Sequence, residues 1–99
     1  MNIQENTLVF RLGDDNNIIK IDKKSKIKYF IADLEGLDLD VVTKIKDKLL
    51  IFAQSIDKEK GLFVVVYNIS FDDELIIVPT IQEAYDYIQM EDVERQLNL

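Results

Sequence analysis

Runs of apolar residues, broken by short polar stretches, mark out the elements of this chain one by one. "TLVFRL" (7–12) is rich in β-branched and aromatic residues and reads as a first strand. "GDDNN" (13–17) offers glycine and Asx residues that accept positive φ, so it reads as a turn. "IIKID" (18–22) then reads as a returning strand, and the two predict an N-terminal hairpin. After the polar "KKSK" (23–26), "IKYFIAD" (27–33) predicts a third strand, apolar enough to lie inside a sheet.

The period then changes from two to three and four. "LEGLD" (34–38) leads into a helix in which Val42, Ile45, Leu49, Phe52, Ala53 and Ile56 form one apolar stripe. Asp38 or Asp40 can cap its start, because a carboxylate accepts the unpaired N–H groups of a first turn. Gly61, after Lys58 and Lys60, is its stop signal. "LFVVVYN" (62–68) is apolar on both faces and predicts a central strand. It should run parallel to the third, because a helix separates them. "ISFDD" (69–73) is a loop, and "ELIIVP" (74–79) a last strand.

The C-terminal helix opens on Thr80 and Glu83, the spacing of a capping box. Ile81, Ala84, Tyr85 and Ile88 share one face. After Ile88 the phase slips: the next expected position is Asp92, and the apolar set resumes as Met90, Val93 and Leu97. That predicts a bend near Gln89, or a second short helix turned onto a new surface. The whole pattern predicts an α/β fold: a mixed sheet of about five strands with an N-terminal hairpin and helices packed on one face.

Charge adds a direction to this picture. Twelve basic against 19 acidic residues leave a net charge of −7, which argues against nucleic acid as a partner. Residues 20–60 carry ten lysines and eight acids, a net of +2. Residues 61–99 carry one arginine and eight acids, a net of −7, so the outer surface of the C-terminal half is acidic. At 99 residues the chain has the size of one domain. Its first thirty residues contain no apolar run long enough for a signal peptide or a membrane span. The absence of cysteine fits the cytoplasm.

Few residues can carry chemistry. With no histidine and no cysteine, the usual general base, the commonest metal ligand and every thiolate site are missing. No glycine-rich phosphate loop is present, and no cofactor or metal is expected. Asp14-Asp15 and Asp72-Asp73-Glu74 lack the spacing of a calcium loop and read as turn residues. Asp33 ends a strand before a helix, where α/β sheets place ligand sites. "ADLEGLDLDVVTKI" resembles the aspartate loop of a response-regulator receiver, with Asp33 as phosphoacceptor and Asp14-Asp15 as metal acids. The 17 residues between Asp15 and Asp33 are too few for the elements a receiver places there, and Val78 stands where its lysine belongs. Asp33 more simply caps a turn.

The order strand, strand, strand, helix, strand, strand, helix, with "FIADLEGLD" and "DELIIVPTIQEAYDYIQMEDVERQL", resembles the STAS family, the anti-sigma factor antagonists. The tail is similar to a bacterial subgroup that ends in a strand, a Pro-Thr, a helix with Glu-Ala and a Met-Glu-x-x-Glu-Arg-x-Leu terminus. Those positions are Pro79, Thr80, Glu83, Ala84, Met90, Glu91, Glu94, Arg95 and Leu97. The resemblance implies a small cytoplasmic interaction domain without enzymatic activity, whose partners are anti-sigma kinases or related regulators. It places partner contact at the helix entrance, Leu37, Asp38, Leu39, Asp40, Thr43 and Lys44. The family's phosphoserine element is missing; Leu39-Asp40-Val41-Val42-Thr43-Lys44 stands there, with Thr43 the nearest hydroxyl. The connections also lack room for some of the family's helices, so the chain resembles a shortened, divergent member without the phosphoserine switch. Some proteins with this tail carry a ribonuclease Z label. That activity needs a histidine-rich two-metal site, which a chain without histidine cannot build. A homodimeric assembly subunit is the competing expectation. Its contact would be an edge at Thr7–Leu12 or the second apolar face of Met90, Val93 and Leu97.

Overall fold

A computed structural model of the chain describes residues 2–4, 7–11 and 28–97, with side chains for 7–11 and 28–94. Its elements are β1 (Asn2–Gln4), β2 (Thr7–Arg11), β3 (Tyr29–Asp33), α1 (Leu39–Lys58), β4 (Leu62–Val66), β5 (Ile76–Val78) and α2 (Ile81–Leu97). The strands lie side by side in the order β1-β2-β3-β4-β5. β2 to β5 are all parallel, in registers such as Thr7↔Tyr29, Tyr29↔Leu62 and Val64↔Ile76. β1 is antiparallel to β2, with Ile3 opposite Leu8.

The N-terminal hairpin of the described residues is formed by β1 and β2. Residues 18–22 lie outside the described residues, and the antiparallel neighbour of β2 is β1. With β1 on one side and β3 on the other, Thr7–Val9 is paired on both sides and offers no free edge, which leaves only the Phe10–Leu12 part of the expected dimer edge.

The expectation that the helices share one face is wrong. Strand side chains alternate between faces. Phe30, Ala32, Phe63 and Val65 therefore join α1 in one core, and Tyr29, Ile31, Leu62, Val64 and Val66 join α2 in another. A sheet apolar on both faces needs cover on both. Right-handed crossovers between successive parallel strands must lie on one face. α1 and the β4–β5 connection, whose Phe71 and Leu75 pack beside it, occupy that face. α2 follows the last strand and closes no crossover, so it can take the other.

On its side, α1 buries Val42, Ile45, Leu49, Phe52 and Ile56, the predicted stripe with only Ala53 less covered. Phe52 sits at its centre, edge-on to Phe63, Phe30 and Phe10 at ring separations of 5.0, 5.4 and 6.0 Å. α1 ends as expected near Gly61, but for a different reason. Lys60 holds the left-handed position, with φ 61°. Gly61 is needed for space: a Cβ there would lie 2.5 Å from the Lys28 carbonyl oxygen and 2.8 Å from Ile56 Cγ2.

α2 is one continuous helix from Ile81 to Leu97, so no second short helix begins near Gln89. Ala84 and Ile88 are buried against the sheet, and Ile81 and Tyr85 pack beside them. One turn beyond Ile88, Asp92 keeps the inward phase by accepting a hydrogen bond from the Tyr29 hydroxyl. The helix therefore runs on, and Met90 and Val93 are turned outward.

Candidate functional site

The parallel strands β3, β4 and β5 end together, and three loops meet beyond them. The loop after β3 is shaped by Gly36, whose φ of 91° suits glycine alone. It is held from several sides. Asp33 Oδ1 accepts the Glu35 N–H at 3.0 Å, closing an Asx turn around Leu34, and the Leu37 N–H donates to the Leu34 carbonyl at 3.1 Å, closing the turn that contains Gly36. Arg11 reaches across from β2, with Nη1 3.5 Å from Asp33 Oδ2 and Nη2 donating to the Glu35 carbonyl at 2.8 Å. Leu34 N–H donates to the Val66 carbonyl, and the Tyr67 hydroxyl donates to the Leu37 carbonyl at 2.8 Å. Tyr67 is itself buried and edge-on to Phe71.

This scaffold presents a 420 Å³ depression lined by Glu35, Gly36, Leu37, Asp38, Leu39, Tyr67, Asn68, Ile69 and Pro79. Leu39 is 44% and Ile69 45% exposed, so its rim carries two large aliphatic side chains facing water. Among the described residues that line it the charged ones are Glu35 and Asp38, both acidic, with the Arg11 guanidinium at its edge beside the Glu35 carbonyl. Asp38 is the N-cap residue of α1, with extended backbone at φ −69° and ψ 149°. Its carbonyl accepts the Val42 N–H, but its carboxylate makes no capping hydrogen bond. The expected side-chain cap is therefore absent at Asp38, and that charge faces outward. Asp40 favours the helix only through its place in the first turn.

Of the six residues expected at the helix entrance, Leu37, Asp38 and Leu39 line the depression. Asp40, Thr43 and Lys44 are exposed on the first turns of α1, outside it. The Thr43 hydroxyl donates to the Leu39 carbonyl at 2.8 Å, as threonines inside helices commonly do. Tyr67, Asn68, Ile69 and Pro79 complete the site and were not foreseen. They come from the end of β4 and from the far end of β5, and no local pattern links them to residue 37. Met90 and Val93 are exposed on α2, on the other side of the sheet; the Leu97 side chain lies outside the described residues.

Asp33 is half of a closed arrangement rather than the floor of a cleft. One oxygen is held by the Glu35 N–H, the other faces Arg11, and Asp33 does not line the depression. The expected metal acids Asp14 and Asp15 lie outside the described residues. Among the described residues, no group of three or more Asp or Glu is arranged to hold a metal ion. The strand order never reverses along β2 to β5, so the described strands form no switch point of the kind where open α/β sheets form a ligand crevice.

A second depression, of 310 Å³, lies at the opposite end of the sheet, between α1 and β5. It exists because residues 67–75 join two parallel strands with no helix. Their Phe71 and Leu75 pack on the core, and Asp72 meets Lys46 at 3.7 Å, but part of the sheet beside Leu50 and Ala53 stays uncovered. No described helix is long and apolar enough to cross a membrane. In comparisons with family models, curated proteins and solved structures, nothing matches this chain.

Proposed function

We propose that the protein is a non-enzymatic, STAS-like interaction module of bacterial regulation, acting in the cytoplasm by docking a protein partner at the entrance to α1. The observation that carries this reading is the depression beyond β3–β5. Its exposed Leu39 and Ile69, beside Leu37 and Pro79, form an apolar surface with an acidic border. The backbone beneath it is fixed by Tyr67, Arg11 and the Asp33 turn, so little ordering is required when a partner binds. Aliphatic residues on a rigid rim, bordered by like charges, suit a partner that offers an apolar side chain flanked by lysine or arginine. The tail pattern from Pro79 to Leu97 and the order βββαββα of the described elements support the STAS-like reading. Without a serine at the start of α1, partner binding is constitutive rather than switched by phosphorylation at that position.

The test is a pull-down from the native cytoplasm with three baits: the unaltered chain, Asp38→Lys/Asp40→Lys, and Leu39→Ser. These residues are exposed, so the fold should survive each change, which circular dichroism verifies. A partner captured by the unaltered chain and lost with both variants supports the reading. Equal capture by all three baits removes it.

A further inference from the structure

α2 has the polarity of a surface helix inverted at its C-terminal half. Asp92 points toward the sheet and accepts a hydrogen bond from Tyr29, while Met90 is 66% and Val93 49% exposed. Exposed single apolar residues are ordinary, but a carboxylate turned inward beside two large apolar groups turned outward is not. The inner face of α2 does not need those groups, because Ala84 and Ile88 already fill it. Met90 and Val93 are three residues apart and so adjacent on the helix surface. Asp86, Gln89 and Glu94 surround them, with no cation among the described residues of the group.

We infer that this strip of α2 is a second docking surface, separate from the entrance to α1, and that it takes a basic amphipathic helix from a different protein. The charge decides against an α2-to-α2 contact with a second copy of this chain. Between Ile81 and Leu97 there are five acids and one arginine, 1 − 5 = −4. Two copies packed α2 to α2 would bring −4 against −4 around a small apolar seam. A partner helix with an apolar stripe bordered by lysine or arginine meets apolar with apolar and basic with acidic. Methionine suits the centre of such a contact, because its flexible, polarisable side chain adapts to the groups laid on it. The strip lies on the sheet face opposite α1, so an occupant here leaves the surface at Leu39 and Ile69 open.

The test uses the full chain and two synthetic helices with the same leucine stripe, one flanked by lysines and one by glutamates. Binding is followed by fluorescence anisotropy, and the contact is mapped by amide chemical shifts. The lysine-flanked helix should bind, with shifts concentrated at residues 86–94, and the glutamate-flanked helix should not. Met90→Ser/Val93→Ser should weaken binding about tenfold or more. Asp86→Lys/Glu94→Lys should weaken it too, and added salt should reproduce that loss. Leu39→Ser, at the other surface, should leave this binding unchanged, which keeps its failure distinct from failure of the α1 entrance. Equal binding of both helices, or shifts that map away from α2, overturns the inference. So does a chain that dimerises in sedimentation and becomes monomeric with Met90→Ser/Val93→Ser, because a second copy then covers the strip.

Discussion

The Tyr29 hydroxyl donates a hydrogen bond to Asp92 across 63 residues of sequence, tying the first residue of β3 to the last turns of α2. The bond reaches the part of the helix that lies beyond Ile88. A carboxylate at an inward helical position costs stability unless it is paired, and the tyrosine supplies the partner. Tyr29→Phe removes the donor and nothing else. It should lower the unfolding free energy by about 1–2 kcal/mol. A double-mutant cycle with Asp92→Asn in urea should return a coupling well above experimental error; additive losses would mean that the bond does not hold the helix end.

Phe52 touches three other rings, Phe10, Phe30 and Phe63, and is therefore the residue that joins α1 to β2, β3 and β4. Phe52→Ala should cost about 3–5 kcal/mol, and Ile45→Ala, in the same stripe, about 2–5 kcal/mol. A domain of this size has a total stability of about 5–15 kcal/mol, so either change should bring the chain near unfolding. Thermal melts followed by circular dichroism measure both losses.

The end of α1 contains a residue that opposes its own backbone. Lys60 holds φ 61°, a conformation that costs an L-residue with a Cβ about 1–2 kcal/mol. Lys60→Gly should therefore raise the melting temperature. Its neighbour should behave in the opposite way. Gly61→Ala places a Cβ 2.5 Å from the Lys28 carbonyl oxygen, which is backbone and cannot step aside. The same melts should show a gain for the first variant and a loss of about 1–3 kcal/mol for the second.

At the start of α2 the Thr80 half of the expected capping box is formed: Thr80 Oγ1 accepts the Glu83 N–H at 3.1 Å. Thr80→Ala should cost about 1 kcal/mol, and Thr80→Ser very little. The measurement is the urea midpoint of each variant against the unaltered chain. Equal losses for alanine and serine would show that the methyl group, not the hydroxyl, matters here.

Much of this structure is written in local pattern. A helix declares itself where Val42, Ile45, Leu49, Phe52 and Ile56 recur at its own period. The apolar runs of β3 and β4 mark central strands, and an intervening helix makes them parallel. These readings succeed because period and burial are properties of consecutive residues. A third of the candidate site was legible for the same reason: Leu37, Asp38 and Leu39, three of its nine lining residues, sit where a strand passes into a helix.

The rest depended on which segments meet. That Ile69 and Pro79 join Leu39 follows from β4 and β5 lying beside β3, a matter of strand order that no single window contains. The assignment of α2 to the face opposite α1 was decided by both faces of β3 and β4 being apolar and by the handedness of the crossovers. Asp92 is the clearest case. In sequence it is a break in the phase of a helix, and a bend is the natural reading. The tyrosine that β3 brings to it pairs the inward carboxylate, and the helix runs on with Met90 and Val93 facing water.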